Sequence, residues 1–185
     1  HSGLAVNRDF YDEEAKAWPC GYNPERTPDG TLLVGRVTSD DGRVLATLYN
    51  YACHPTTLAW ENWKLSPDFV GAAREILQNT YGAPSLFLQG ALGDQAPRDN
   101  YVGDPAIADK NGRQLGYAAA GVIEGLPPAG TKMVYTGIVA SGAALGSWAY
   151  APLSDDERKP CEIVEAQQLT VDLPRKQPVP TLEEL

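Results

Sequence analysis

Along the chain, stretches crowded with turn residues alternate with short runs whose apolar positions keep a regular period. Residues 1–30 hold no sustained period. Trp18-Pro19, Asn23-Pro24 and Pro28-Asp29-Gly30 punctuate them, and such pairs interrupt helix and strand alike. This segment is expected to be a surface loop region. Thr31–Val37 and Arg43–Tyr51 read as two strands joined through Ser39-Asp40-Asp41-Gly42, where Asp-Gly favours a hairpin because both residues tolerate positive φ. In the second run Val44, Ala46, Leu48 and Asn50 alternate with Leu45, Thr47, Tyr49 and Tyr51. Both faces are largely apolar, which predicts a central strand. Pro55 offers no amide proton to a ladder, so the strand is expected to end near His54.

The period then changes to that of a helix. Phe69, Ala72, Ala73, Ile76 and Leu77 fall on one face between Asp68 and Gln78, with Asp68 as a candidate cap and Tyr81-Gly82 as the close. Ser85–Gln89 is a short apolar strand, and Gly90–Pro97 a tight loop after it. Ala106–Leu126 reads as a second helix. Gly112, Gly116 and Gly121 lower its intrinsic propensity and permit close packing. Lys132–Ala140 and Glu162–Leu173 read as further strands. The order of elements predicts a mixed α/β domain, layered, with a central mixed sheet flanked by helices.

Composition narrows the class. Of 185 residues, 43% are hydrophobic and 21% charged, as in a globular protein rather than a disordered one. The formal charge of −9 argues against a nucleic-acid surface, which phosphate repulsion would oppose. No apolar run reaches the ~20 residues of a membrane span. Cys20, Cys53 and Cys161 show no paired spacing of a zinc site. One disulfide with a free thiol and three free thiols both remain open. The chain begins at His1 without a signal-peptide pattern, and Pro180-Thr181-Leu182-Glu183-Glu184 resembles a helix start. Residues 1–185 are therefore expected to be an internal piece of one domain of a longer protein.

Two places carry candidate chemistry. His54 stands where a strand passes into a loop, a position from which a rigid element aims a side chain into a cleft. Asn50, Thr56 and Thr57 are candidate partners for its ring. A structural histidine at a strand end is the competing reading. The second place is Gly90–Pro97. Gly90 and Gly93 allow close backbone approach, successive N–H groups suit an anion, and Asp94 orients a base or holds the loop. An ordinary turn with Asp94 as a local cap is the alternative. No serine lies in a GxSxG nucleophile elbow.

Four segments, in order, resemble one family. His1-Ser2-Gly3 is similar to the tail of an H-T-H-S-G motif. Asn50-Tyr51-Ala52-Cys53-His54-Pro55-Thr56 is similar to N-x-A-x-H-G/P-T. Ser66-Pro67-Asp68-Phe69-Val70-Gly71 is similar to S-x-D-Y/F-x-G. Gln89-Gly90-Ala91-Leu92-Gly93-Asp94-Gln95-Ala96-Pro97 is similar to Q-G-x-x-G-D-x-x-P. Together they resemble the catalytic domain of the neutral/alkaline non-lysosomal ceramidases and their bacterial relatives, over roughly the first two thirds of the chain. The resemblance implies a secreted or periplasmic hydrolase that cleaves an N-acyl amide of a ceramide-like lipid, with peripheral membrane contact compatible. It implies one catalytic zinc ion held by two histidines, a glutamate and a tyrosine. By motif, His54 is one of these ligands, and the others fall outside this sequence. His1 matches the histidine that faces the substrate, and Asp94 orders the loop with Gly90 and Gly93. Ceramidases carry a serine where this chain has Ala96, which leaves water as the expected nucleophile. Two other readings stand beside this one: an inactive lipid- or glycan-binding module, and a metal hydrolase of another ester or amide.

Overall fold

A computed structural model describes residues 2–172 and 174. The chain divides into two units, His1–Ala129 and Gly130–Leu185.

The first unit is built on a three-stranded mixed sheet, as expected. Its strands are β2 (Leu32–Thr38), β3 (Val44–Tyr51) and β4 (Ser85–Gln89), in the order β2-β3-β4. The hairpin forms at the Asp-Gly turn, with Gly42 at φ 84°. β3 pairs antiparallel with β2 and parallel with β4, so it is the central strand. A parallel neighbour needs a crossover, and helix α1 (Phe69–Tyr81) supplies it. Thr47, Tyr49 and Tyr51 make the inward face of β3, in register with Ser85, Phe87 and Gln89 on one side and with Arg36, Val34 and Leu32 on the other. Tyr49 and Tyr51 pack with Phe69, Ala73 and Leu77 of α1 in the core. The opposite face shows Leu33, Val37, Leu86 and Leu88 to the outside.

Capping sets the ends of α1. Asp68 accepts from the Phe69 N–H at 2.7 Å, and Gly82 closes the helix in the left-handed conformation. Helix α2 (Pro105–Glu124) starts at Asp104 with Pro105 in the first turn. Its buried stripe includes Gly112, Leu115, Gly116, Ala119 and Ile123. Gly112 and Gly116 are one turn apart, and they let α1 approach: a Cβ on Gly112 would lie 2.2 Å from the Phe69 carbonyl oxygen. Gly121, grouped with them in the sequence, meets nothing within 4 Å.

Residues 1–30 are not wholly a surface loop. Ala5–Asn7 form a buried strand, β1, which pairs antiparallel with β5 (Gln95–Pro97). Three residues cannot show a period, and the partner lies far along the chain. Residues 8–30 are turns and mostly exposed.

The second unit is a hairpin of β6 (Thr131–Ala140) and β7 (Ala144–Pro152), followed by the short helix α3 (Asp155–Arg158). A capping box between Ser154 and Glu157 starts α3, and Glu157 also pairs with Lys132. The strand expected over Glu162–Leu173 is not present in the described part of that range. A 3-10 turn covers Lys159–Glu162, and the residues from 163 to 172 have no ladder partner. The partner of β6 is instead β7, reached through the turn at Gly142 (φ 71°).

Candidate functional site

Two segments singled out in the sequence, His54 and the Gly90–Pro97 loop, meet at the end of β3 together with the strand that follows His1-Ser2-Gly3. The strand stops at Tyr51, and its direction is taken over by a loop that wraps around Ala52–His54. Gly90 N–H donates to the Tyr51 carbonyl at 3.1 Å, Gln89 Nε2 to the Cys53 carbonyl at 2.9 Å, and His54 N–H to the Gln95 carbonyl at 3.1 Å. Gly90 is required for this wrap, because a Cβ there would sit 3.0 Å from the backbone of Ala52. Gly93 is not required in the same way, since a Cβ would meet nothing within 4 Å.

The strand that follows His1-Ser2-Gly3 joins from the other side. Val6 pairs with Ala96, Arg8 N–H donates to the Asp94 carbonyl at 2.8 Å, and Arg98 N–H donates to the Leu4 carbonyl at 3.2 Å. Ala5 N–H donates to the buried Tyr51 hydroxyl at 3.0 Å, which ties β1 to β3. Asp94 accepts from Asn7 Nδ2 at 2.9 Å, and the Arg8 guanidinium donates twice to the Gly93 carbonyl, at 3.1 and 3.0 Å. The Asp94 side chain thus fastens the loop to β1. The loop is not an open anion nest at its two ends, because Gly90 and Gln95 N–H already bond the Tyr51 and Leu92 carbonyls.

His54 is half-buried. Burial lowers its imidazole below the ordinary 6.5, the Arg8 guanidinium lowers it further, and the Asp68 carboxylate opposes both. The three partners expected for its ring are engaged elsewhere. Asn50 Nδ2 donates to the Leu88 carbonyl, Thr56 Oγ1 to the His54 carbonyl, and Thr57 Oγ1 accepts from Asn111. His54 Nδ1 is buried without a hydrogen-bond partner, as is Gln95 Oε1. Gln95 was not singled out by the sequence, where it occupies an unspecified position between Asp94 and Ala96.

Asp68 does more than cap α1. It is buried, its Oδ2 accepts from Leu58 N–H at 3.0 Å, and its backbone is at φ 53°, ψ −146°. That region is occupied almost only by glycine. The neighbouring Cys53 thiol is pushed up to about 12, chiefly by burial and then by Asp68. No disulfide forms; Cys53 is buried, and Cys20 and Cys161 are exposed. Ala96 is fully buried in β5. His1 lies outside the described residues. Among the described residues no three His, Cys, Asp or Glu side chains gather into a metal site, and no helix is long and apolar enough to cross a membrane.

Concavities of about 570, 460 and 380 Å³ lie elsewhere in the first unit, and none of the three is lined by His54 or the Gly90–Pro97 loop. The second of them is aromatic, with Phe10, Tyr11 and Trp18 in its wall.

No protein-family model matches the sequence, and no curated protein matches it. Among solved structures, the chain is similar to the neutral ceramidase from Pseudomonas aeruginosa, at 17% identity and a TM-score of 0.45 over 64% of this chain and 21% of that one. It is also similar to a ceramidase complexed with C2, at 19% identity and a TM-score of 0.47 over 64% and 20% of the two chains. The chain therefore spans about a fifth of the length of either.

Proposed function

We propose that this chain is part of a zinc-dependent hydrolase of an N-acyl amide, with a ceramide-like lipid as the substrate class and His54 as one metal ligand. The observation that supports this reading most is the convergence of the motif segments. His54, the loop Gly90–Pro97 and the strand following His1-Ser2-Gly3 share one backbone hydrogen-bond network, although Ala5 and its partner Pro97 lie 92 residues apart in sequence. A half-exposed histidine held by its backbone, with its buried nitrogen unpaired, fits a ligand that binds through Nε2. Burial favours the neutral ring over the charged one, and the neutral ring is the form a metal takes. The described residues supply one ligand and not a complete set.

Zinc, when bound, polarises an amide carbonyl and makes water a competent nucleophile near neutral pH. The roles assigned to this chain are to hold, position and order. His54 holds the metal, His1 serves at the substrate as proton carrier or hydrogen-bond donor, and Asp94 keeps the loop on β1 through Asn7. Ala96 brings no hydroxyl, so no side chain at that position acts as nucleophile. The same residue favours a second reading, a lipid- or glycan-binding module without turnover.

Calorimetry of zinc into this chain tests the metal assignment. Weak binding that is lost in His54→Ala is expected, because catalytic zinc sites ordinarily take three protein ligands. Zinc affinity unchanged in His54→Ala refutes it. Hydrolysis of a short-chain fluorescent ceramide and of a simple N-acyl amide, by a longer protein containing this chain, separates enzyme from binding module.

A further inference from the structure

We propose that the aromatic concavity walled by Phe10, Tyr11 and Trp18 binds a quaternary ammonium group, of the trimethylammonium type that choline carries. The inference goes beyond the reading of His54 as a metal ligand and does not rest on it.

A small hairpin builds the wall. Antiparallel bridges join Asp9 to Cys20 and Asp12 to Ala17, and in that register Tyr11 lies opposite Trp18. Their ring centroids are 5.0 Å apart and their planes are tilted by 51°, so the two rings form a corner rather than one flat platform. The hairpin is anchored next to β1, Gly21 N–H donating to the Arg8 carbonyl at 3.0 Å and Asn23 N–H to the Asn7 carbonyl at 2.9 Å. Asn23 then turns the chain. Its Nδ2 donates to the Asp9 carbonyl at 2.6 Å, and its Oδ1 accepts from Glu25 N–H at 3.0 Å. That turn brings Glu25 and Arg26 into the same wall as the rings. The concavity of about 460 Å³ falls within the ~300–1,000 Å³ usual for small-ligand sites.

Its chemistry selects a cation. Trp18 is 65% exposed, and Phe10 and Tyr11 are exposed beside it. The faces of such rings attract positive charge. Arg26 is paired with Asp9 at 3.7 Å, so its charge is matched. The Glu25 carboxylate has no ion pair or side-chain hydrogen bond among the described residues, and it is the unmatched charge of the wall. Residues 8–30 as a whole carry six acidic and three basic side chains, a balance that draws cations and repels anions. A sugar needs polar side chains free to fix its hydroxyls, and the Asn23 amide is engaged at both ends. A primary ammonium has three protons to satisfy, and Glu25 is the one carboxylate in the wall. A quaternary ammonium has none, and needs only ring faces and a neighbouring negative charge.

The test is saturation-transfer NMR of the whole 185-residue chain with choline chloride, and with the uncharged isostere in which a tert-butyl group replaces trimethylammonium. Saturable choline binding in the millimolar range is expected, with the isostere about tenfold weaker or more. Trp18→Ala should weaken choline by about 2- to 30-fold, and Trp18→Phe, which keeps a ring, should weaken it less. Glu25→Gln should weaken choline and leave the isostere unchanged. Both side chains are exposed, and circular dichroism checks that the fold is kept. If Trp18→Ala does not fold, the parent protein and Glu25→Gln decide. Absence of saturable choline binding overturns the proposal. An isostere as tight as choline overturns it too, as does a Glu25→Gln variant identical to the parent, or methyl glucoside binding where choline does not. Flotation with vesicles identifies the source of the ligand. Retention on phosphatidylcholine but not phosphatidylglycerol vesicles, reversed by free choline, assigns a lipid headgroup. Choline binding without retention assigns a soluble ligand, and either result supports the site.

Discussion

Glycines in α2 allow a test in which one substitution gives opposite signs at two sites on the same helix. Replacing a helical glycine by alanine removes backbone freedom from the unfolded chain and favours the helix by about 1 kcal/mol. At Gly121 nothing opposes that gain, because a Cβ there meets no atom within 4 Å. At Gly112 the new Cβ would lie 2.2 Å from the Phe69 carbonyl oxygen, 2.7 Å from Ala72 Cβ and 3.0 Å from the Ala73 nitrogen. Two of these three atoms are backbone of α1, so no side-chain rotation relieves the clash. The helices must part by roughly an ångström, and a gap of that size forfeits about a quarter to a half of each dispersion contact along the seam. Overpacking of a tight core costs about 1–3 kcal/mol. With a rigid obstacle the upper part of that range applies, and it exceeds the helix gain. Gly112→Ala should therefore destabilise by about 1–2 kcal/mol, and Gly121→Ala should stabilise by about 0.5–1 kcal/mol. Urea unfolding followed by far-ultraviolet circular dichroism gives both numbers from shifts in midpoint at constant slope. A Gly112→Ala variant as stable as the parent, or more so, refutes the claim that contact with α1 selects glycine there.

Further outcomes follow from the surroundings of His54. A thiol reagent should modify Cys20 and Cys161 in the native protein and reach Cys53 only on unfolding, since Cys53 is buried and its thiol is pushed up to about 12; three equally fast reactions contradict this. The His54 imidazole is held below 6.5, so the unfolded state takes up a proton there first and stability falls as pH drops below that value. A proton NMR titration that places His54 at or above 6.5 refutes the direction, and Arg8→Ala should raise it. Asp68→Ala removes the acceptor for two N–H groups, from Phe69 and Leu58, and should cost about 1–3 kcal/mol in thermal or urea unfolding. Asp68→Gly should cost less, because it relieves a backbone conformation worth about 1–3 kcal/mol of strain.

Much of the first unit was legible wherever a signal is local. The hairpin at Asp41-Gly42, the central placement of β3, the Asp68 cap and the Gly82 close each depend on a few adjacent residues, and the structure has all of them. Elements defined by distant partners were not legible. β1 and β5 have three residues each, and their buried pattern exists only because they pair with each other. β7 was hidden because Gly146, Ser147 and Pro152 dilute its alternation. Glu162–Leu173 offered a convincing run of branched and apolar residues but finds no neighbour to pair with in the part described, and a strand is defined by its partner. At the candidate site, the motifs identified which segments meet. They did not single out Gln95, because its carbonyl meets the His54 N–H through a backbone bond that depends on how the loop folds back.

The β1–β5 ladder also bears on how the protein is made. Val6 pairs with Ala96, 90 residues later. At a synthesis rate of about 5–20 residues per second, Val6 leaves the ribosome roughly 5–18 s before its partner exists. For that interval Leu4, Ala5 and Val6, all buried in the finished fold, have nowhere to go. Closing so long a loop costs about 4 kcal/mol in chain entropy beyond a constant, against a ladder only three residues deep. The β3–α1–β4 crossover spans a shorter stretch and can form first. The loop around His54 is then fastened down last, when the segment carrying Leu4, Ala5 and Val6 returns to complete it.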